Sequence, residues 1–247
     1  MKLEDFLEKD TLNKEESLYP IKKIKICEDH VEIVLDEEKI IVSDESYFHF
    51  DLNHKKGLDE KLYTLLKKEE MLFQAYKGCL RKLSMKDYTV KQIEDYLVKK
   101  GLNGSQIKDL IDKLKSYGFL DDEKYCINRI SYLDHANYSR KQIEQKLKQS
   151  GIKEELILKY LIQDDVKENE KALIAAEKIN SSVKNKSLMQ KKQMILSKLL
   201  NQGFSYESAL KAMQSIDVQS ENEVELLKKE YIKARRKYAM KYEGKDL

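Results

Sequence analysis

Hydrophobic residues recur with the period of an α-helix through most of the chain after residue 66. In three segments, 90–101, 140–151 and 191–203, a glycine follows apolar residues placed eight and four positions earlier. These apolar pairs are Ile93 and Leu97, Ile143 and Leu147, and Ile195 and Leu199. Apolar positions one turn apart, followed by a glycine that tolerates positive φ, predict an amphipathic helix with a glycine C-cap.

The three segments belong to a repeat of about fifty residues, because their glycines lie 50 and 52 positions apart. A further amphipathic helix is predicted after each glycine, and a longer helix before each segment, at 69–84, 122–136 and 168–182. Thr89 and Ser139 are predicted N-caps. Three short helices bury little apolar surface alone, so neighbouring repeats must stack. We therefore predict a mainly α fold in which three tandem three-helix repeats form an elongated, curved array.

The period changes to two in the first part of the chain. Segments 21–26 (IKKIKI) and 31–35 (VEIVL) show this alternation with β-branched residues, which predicts a short hairpin. Segment 39–42, after the turn-like residues 36–38, is a third candidate strand. The predicted organisation is an acidic head with short strands at 1–66, repeats at 67–120, 121–166 and 167–217, and a basic C-terminal helix at 218–247.

Composition narrows the class of protein. Eight glycines and one proline in 247 residues are too few for the turns of a sandwich or barrel. A charged fraction of 37% is typical of a thin fold with much surface, not of a compact enzyme. No apolar run is long enough to span a bilayer, and the sequence shows neither a signal peptide nor a cysteine framework. We expect a reduced, cytoplasmic protein without membrane association.

Charge is distributed unevenly. Residues 1–66 carry ten Lys/Arg against seventeen Asp/Glu, whereas the remainder has a net charge of +10. A basic body predicts a polyanion or an acidic protein groove as its partner. The candidate contact residues are Lys91, Lys99, Lys100, Arg140, Lys141, Lys146, Lys148, Lys191, Lys192, Lys198, Lys229, Lys233, Arg235, Arg236 and Lys237.

The last helix carries a second stripe, formed by Leu227, Tyr231, Ala234, Tyr238 and Tyr242. One interpretation is that these side chains pack on the third repeat while the charges serve solubility. The other is that the helix presents a surface to a polyanion. The sequence leaves both open.

No catalytic motif is present. The chain lacks the phosphate loop, the GxGxxG and HExxH patterns and the GxSxG elbow. Asp121 and Asp122 fit helix capping better than a metal site, and Cys126 fits a core position better than a nucleophile. His30, His49 and His54 match no metal-ligand spacing. We therefore predict no catalytic residue, no metal and no cofactor.

The segment SYGFLDDEKYCINRI (116–130), followed by SRKQIEQKLKQSGI (139–152), resembles the RecX family of recombinase regulators. The resemblance extends over about residues 70–216 and leaves the head and the C-terminal helix outside. It implies a non-catalytic protein that binds the RecA recombinase filament in or along its helical groove, restrains ATP hydrolysis and strand exchange, and binds DNA to some degree. The sequence contains no base-reading motif, so we expect any DNA binding to be weak and independent of sequence. The basic residues named above would then contact RecA or DNA.

An alternative is a general DNA-binding helical protein without a RecA partner. A third and disfavoured interpretation is an enzyme, for which Asp121 and Cys126 are the only candidate catalytic residues. We expect a monomer. The sequence leaves open the mode of inhibition (end capping, groove blocking or disassembly) and the role of the acidic head.

Overall fold

The computed structural model describes residues 19–184, 186–218 and 223–242. Residues 1–18 of the predicted head, and residues 219–222 and 243–247 of the predicted C-terminal segment, lie outside the described residues. The chain divides into two compact units, the first ending at Leu120 and the second beginning at Asp121.

The first unit opens with short antiparallel strands. They are β1 (Tyr19–Pro20), β2 (Lys23–Ile26), β3 (Val31–Val34), β4 (Lys39–Val42) and β5 (Gly57–Leu58). Strands β2, β3 and β4 form one sheet in that order, and β1 pairs with β5. In the β3–β4 pair, Val31 lies opposite Val42 and Ile33 opposite Ile40. All four are buried, so the alternating pattern places one face of the sheet on a core. The three predicted strands are confirmed.

Helix α1 (Asp44–His49) and a 3₁₀ turn (Leu52–His54) lead to the long helix α2 (Glu60–Met85). The helical period predicts this helix at 69–84, and the structure corrects its start to Glu60. Asp59 is the N-cap and accepts a hydrogen bond from the Leu62 backbone N–H. Leu66 packs into the core of the head, whereas Ala75 and Cys79 pack into the core of the first repeat. One helix therefore serves both cores, and residue 66 lies inside it.

The repeats follow. Helices α3 (Val90–Lys99) and α4 (Gly104–Ser116) complete the first unit, and α5 (Asp122–His135), α6 (Arg140–Gln149) and α7 (Glu154–Tyr160) form the second repeat. The third repeat comprises α8 (Asp165–Ser182), α9 (Leu188–Asn201) and α10 (Tyr206–Ser215), and α11 (Glu223–Tyr242) follows. Helix α8 begins three residues earlier than predicted, behind the N-cap Asp164.

The predicted N-caps and the glycine C-caps are present in the structure. The Thr89 and Ser139 side chains accept hydrogen bonds from the backbone N–H groups of Gln92 and Gln142. The three capping glycines have φ of 84°, 83° and 82°, a conformation that other residues rarely adopt. Their apolar partners are all fully buried: Ile93, Leu97, Ile143, Leu147, Ile195 and Leu199. The mainly α fold with three-helix repeats and a small β-containing head is thus confirmed.

Three polar contacts join the second and third repeats, and we call them the repeat junction. The Ser139 hydroxyl donates to the Gln202 carbonyl oxygen at 2.5 Å. The Arg140 backbone N–H donates to the Glu168 carboxylate at 3.1 Å. The Lys171 ammonium pairs with Asp134 at 2.5 Å, and Lys171 is buried. Helix α6 is therefore held at its N-terminus by two groups from the next repeat.

Candidate nucleic-acid interface

The basic residues predicted to contact a polyanion lie on four helices. Helix α3 and its C-cap carry Lys91, Lys99 and Lys100, and α6 carries Arg140, Lys141, Lys146 and Lys148. Helix α9 carries Lys191, Lys192 and Lys198, and α11 carries Lys229, Lys233, Arg235, Arg236 and Lys237. All are exposed except Arg140, Lys146 and Lys191, which are half-buried. Exposure alone does not make a cation available, because carboxylates neutralise several of them.

Three of these lysines are paired. Lys91 contacts Asp95 at 2.9 Å, and Lys233 contacts Glu230 at 3.0 Å. Lys148 lies 2.8 Å from both Glu144 and Glu154, and its hydrogen bonds to these carboxylates raise the pKa of its ammonium group. These three cations are already compensated within the protein and add little to an anion-binding surface.

A denser group lies between α2 and α3, and only one of its members was predicted. Arg81, Lys82, Lys86 and Lys100, which we call the first-repeat basic cluster, have no carboxylate partner within 4.0 Å in the ranges that the structure covers. Two half-buried tyrosines connect them. The Lys82 ammonium lies 4.8 Å from the centre of the Tyr96 ring and 5.4 Å from that of Tyr88.

The other lysines complete the arrangement. Lys100 lies 5.7 Å from the centre of the Tyr96 ring, and Lys86 lies 4.7 Å from that of Tyr88. Arg81 and Lys100 also line the same groove beside Tyr96. Sequence reasoning missed Arg81, Lys82 and Lys86 because α2 and α3 must pack before these residues meet. The signal available in the sequence was the basic end of α2, in the segment RKLSMK (81–86).

Arg140 is part of the repeat junction and not of an open surface. Its Nε atom is buried and has no hydrogen-bond partner among the described residues. Burial raises the pKa of the neighbouring Glu168 carboxyl, while the Arg140 backbone N–H and the Lys171 charge oppose the rise. Beside it, the stem of Lys141 packs near Gly203. The start of α6 therefore positions the third repeat more than it offers free charge.

Helix α11 presents its charges to solvent. Each residue from Leu227 to Ala239 is exposed, including Tyr231 at 66%. The interpretation that the tyrosines pack on the third repeat is therefore wrong for Tyr231 and for Leu227, which is 74% exposed. The side chain of Tyr242, the last member of the predicted stripe, lies outside the described residues.

The residues considered for catalysis have structural roles, as a helix cap and as part of the core. Asp121 accepts a hydrogen bond from the Lys124 backbone N–H at 2.9 Å, as a helix N-cap does. Cys126 is fully buried, and burial raises the pKa of its thiol, so the reactive thiolate is disfavoured. Within the described ranges, no three His, Cys, Asp or Glu side chains are grouped to hold a metal ion. His30 instead lies 2.6 Å from Asp29.

Among the helices of the described segments, none combines the length and the apolar character that a membrane span requires. The fold and its surfaces define a three-helix-repeat protein in which uncompensated basic side chains are the most distinctive chemical feature.

Comparisons with known proteins agree with this class. A sequence model described as "RecX, first three-helix domain" matches residues 75–114. The regulatory protein RecX of Streptococcus gordonii is 31% identical over 217 residues, which cover 86% of this chain and 83% of that protein. RecX of Bacillus licheniformis is 31% identical over 224 residues, covering 88% and 84%.

Solved structures show the same fold. The crystal structure of RecX from Lactobacillus salivarius has a TM-score of 0.52 and 26% identity, covering 61% of this chain and 99% of that one. A second crystal structure of a regulatory protein RecX has a TM-score of 0.59 and 24% identity, covering 77% and 97%. The chain belongs to the RecX family of regulatory proteins, which confirms the resemblance found in segment 116–152.

Proposed function

We propose that this protein regulates homologous recombination by binding the filament that RecA forms on DNA and restraining its ATP hydrolysis and strand exchange. The observation that carries the proposal is its family membership, based on relatives matched over more than four fifths of their length. We further propose that it catalyses no reaction of its own and acts as a monomer.

The mechanism we propose is steric and electrostatic. Cations without a carboxylate partner among the described residues, such as Lys100 and Arg236, attract the phosphates or acidic side chains of the filament. Shape and the remaining contacts then select the filament over bare DNA. Such electrostatic contacts carry no sequence information, so binding to DNA alone is expected to be weak, salt-sensitive and independent of sequence.

The test is a titration of the purified protein into RecA assembled on single-stranded DNA, with ATP hydrolysis as the readout. We expect dose-dependent inhibition, whereas unchanged hydrolysis at several concentrations would refute the proposal. Inhibition far below one molecule per RecA would indicate action at filament ends or by disassembly. Inhibition near equimolar amounts would indicate groove occupancy.

A second candidate function is general DNA binding without RecA. The exposed basic helix α11 favours it, because six Lys/Arg stand against Glu230 in residues 227–239. This candidate predicts that the protein binds bare DNA at least as tightly as the filament. Measuring both affinities at the same salt concentration separates the two functions, since a regulator of the filament must prefer it.

A further inference from the structure

The first-repeat basic cluster lies around the ring of Tyr96, which packs against helix α2 at a glycine. Tyr96 of α3 lies across Gly78, and a Cβ atom at residue 78 would overlap the Tyr96 hydroxyl. Glycine in the interior of a helix is less favourable than alanine, because it loses more backbone freedom on folding. Here the missing side chain lets the ring of Tyr96 lie against α2, with Lys82 and Lys100 both within 6 Å of its centre.

The groove beside this ring has a volume of about 440 Å³. Its charged lining residues are Lys77, Arg81 and Lys100, and no carboxylate of the described segments lines it. Lys77 is neutralised by Asp29 at 2.7 Å. The charges of Arg81 and Lys100 remain, with those of Lys82 and Lys86 nearby. Each tyrosine ring attracts two ammonium groups, but like charges held near one ring repel each other unless an anion lies between them.

The cluster is not a general property of the repeat. Counting back from the capping glycines Gly101 and Gly151, Tyr96 corresponds to Lys146 and Lys100 corresponds to Ser150. In the second repeat the nearby Lys148 is neutralised by two glutamates. The second repeat has single cation–ring contacts, such as Lys146 at 5.0 Å from the centre of the Tyr138 ring. The first repeat instead groups three lysines around two tyrosine rings.

We propose that the groove between α2 and α3 binds the phosphodiester backbone of a nucleic acid. A phosphodiester chain presents one fixed charge per nucleotide, so several cations of one groove are neutralised together. Three of the four cations are lysines, which bind phosphate as point charges and therefore tolerate several orientations of a phosphodiester chain. The inference extends the weak DNA binding within the proposed function and does not require RecA.

The test compares two full-length variants with equal loss of charge. The cluster variant carries Arg81→Gln, Lys82→Gln and Lys100→Gln. The control carries Lys61→Gln, Lys68→Gln and Lys108→Gln, at exposed positions of the same unit. Binding to a fluorescent oligothymidylate is measured by anisotropy over a salt series, and circular dichroism verifies that both variants are folded.

Each phosphate contact to a single strand contributes roughly 0.7 to the slope of log K against log salt. We therefore expect the cluster variant to lose about 2 from the slope of the unmodified protein, and the control to keep that slope within about 0.5. Equal slopes in the unmodified protein and the cluster variant would overturn the inference. So would equal losses in the two variants.

Competitors identify the anion. Tripolyphosphate should displace the oligonucleotide from the unmodified protein at concentrations at which polyglutamate of equal total charge does not. Equal displacement by polyglutamate would overturn the inference in favour of an acidic protein segment. A failure of the proposed function appears elsewhere, as unchanged RecA ATP hydrolysis with the unmodified protein.

Discussion

Replacing Asp134 by alanine should weaken the second unit far more than replacing its partner Lys171. The Lys171 ammonium lies 2.5 Å from the Asp134 carboxylate, and the two side chains are 10% and 37% exposed. Removing the carboxylate leaves an ammonium group that water reaches poorly. Removing the lysine leaves a carboxylate that solvent can hydrate, so the two truncations differ in cost.

The magnitude follows from these exposures. Breaking a fully buried pair costs about 3–5 kcal/mol, and the one-third exposure of Asp134 reduces this to about 2 kcal/mol for Asp134→Ala. Lys171→Met keeps the apolar stem that packs in the core of the third repeat and should cost below about 1 kcal/mol. In the double variant the ammonium is absent, so its stability should be close to that of Lys171→Met.

The assay is urea unfolding followed by circular dichroism at neutral pH. With a urea dependence of about 2 kcal/mol per M, Asp134→Ala should lower the midpoint of the second unit by about 1 M. The control pair is Glu207 and Lys211 on α10, which are 79% and 56% exposed. Truncating either should cost below about 0.5 kcal/mol. An Asp134→Ala variant no less stable than Lys171→Met would refute the reasoning.

Three further predictions concern caps, pH and thiols. Ser139→Ala removes an N-cap and the bond to Gln202, so urea unfolding should show a loss of about 1–2 kcal/mol; no loss would contradict both roles. Lys77 and His30 lower the pKa of Asp29 to about 2. Stability should therefore decline as pH falls from about 4 to 2, and less in Asp29→Asn. Burial raises the pKa of Cys79 to about 11, so iodoacetamide at pH 8 should modify Cys27 and spare Cys79 until urea unfolds the chain.

Features whose geometry depends on a single helix, such as its caps and its apolar face, could be predicted from the sequence. The apolar pair and the glycine that ends α3 lie within nine residues, and their geometry depends on the helix alone. The same holds for the Ser139 cap, whose acceptor and donor are three residues apart. Repetition at about fifty residues strengthened these signals, because independent segments gave the same pattern.

Contacts between segments that are distant in the sequence could not be predicted. Glu168 reaches the N-terminus of α6 from 28 residues away, and Asp134 meets Lys171 across 37. No local pattern distinguishes these side chains from other surface charges. The start of α2 was placed late for a related reason, since its first turns pack into the head and their apolar residues, such as Leu66, were assigned to it. The N-cap residue Asp59 is the local signal in the sequence that marks the true start of α2, and it was not used.

Basic residues in this protein therefore fall into two groups that net charge cannot separate. Lys148 and Lys171 are neutralised by carboxylates, and they stabilise the second repeat and its junction. Arg81 and Lys100 face no such partner within the described part of the chain. Only cations of the second kind exchange counterions for phosphates, so affinity for a polyanion follows their number and not the overall charge of +3. Under the proposed function, such cations would supply a weak affinity for nucleic acid, and the preference for the filament would come from contacts that charge alone does not supply.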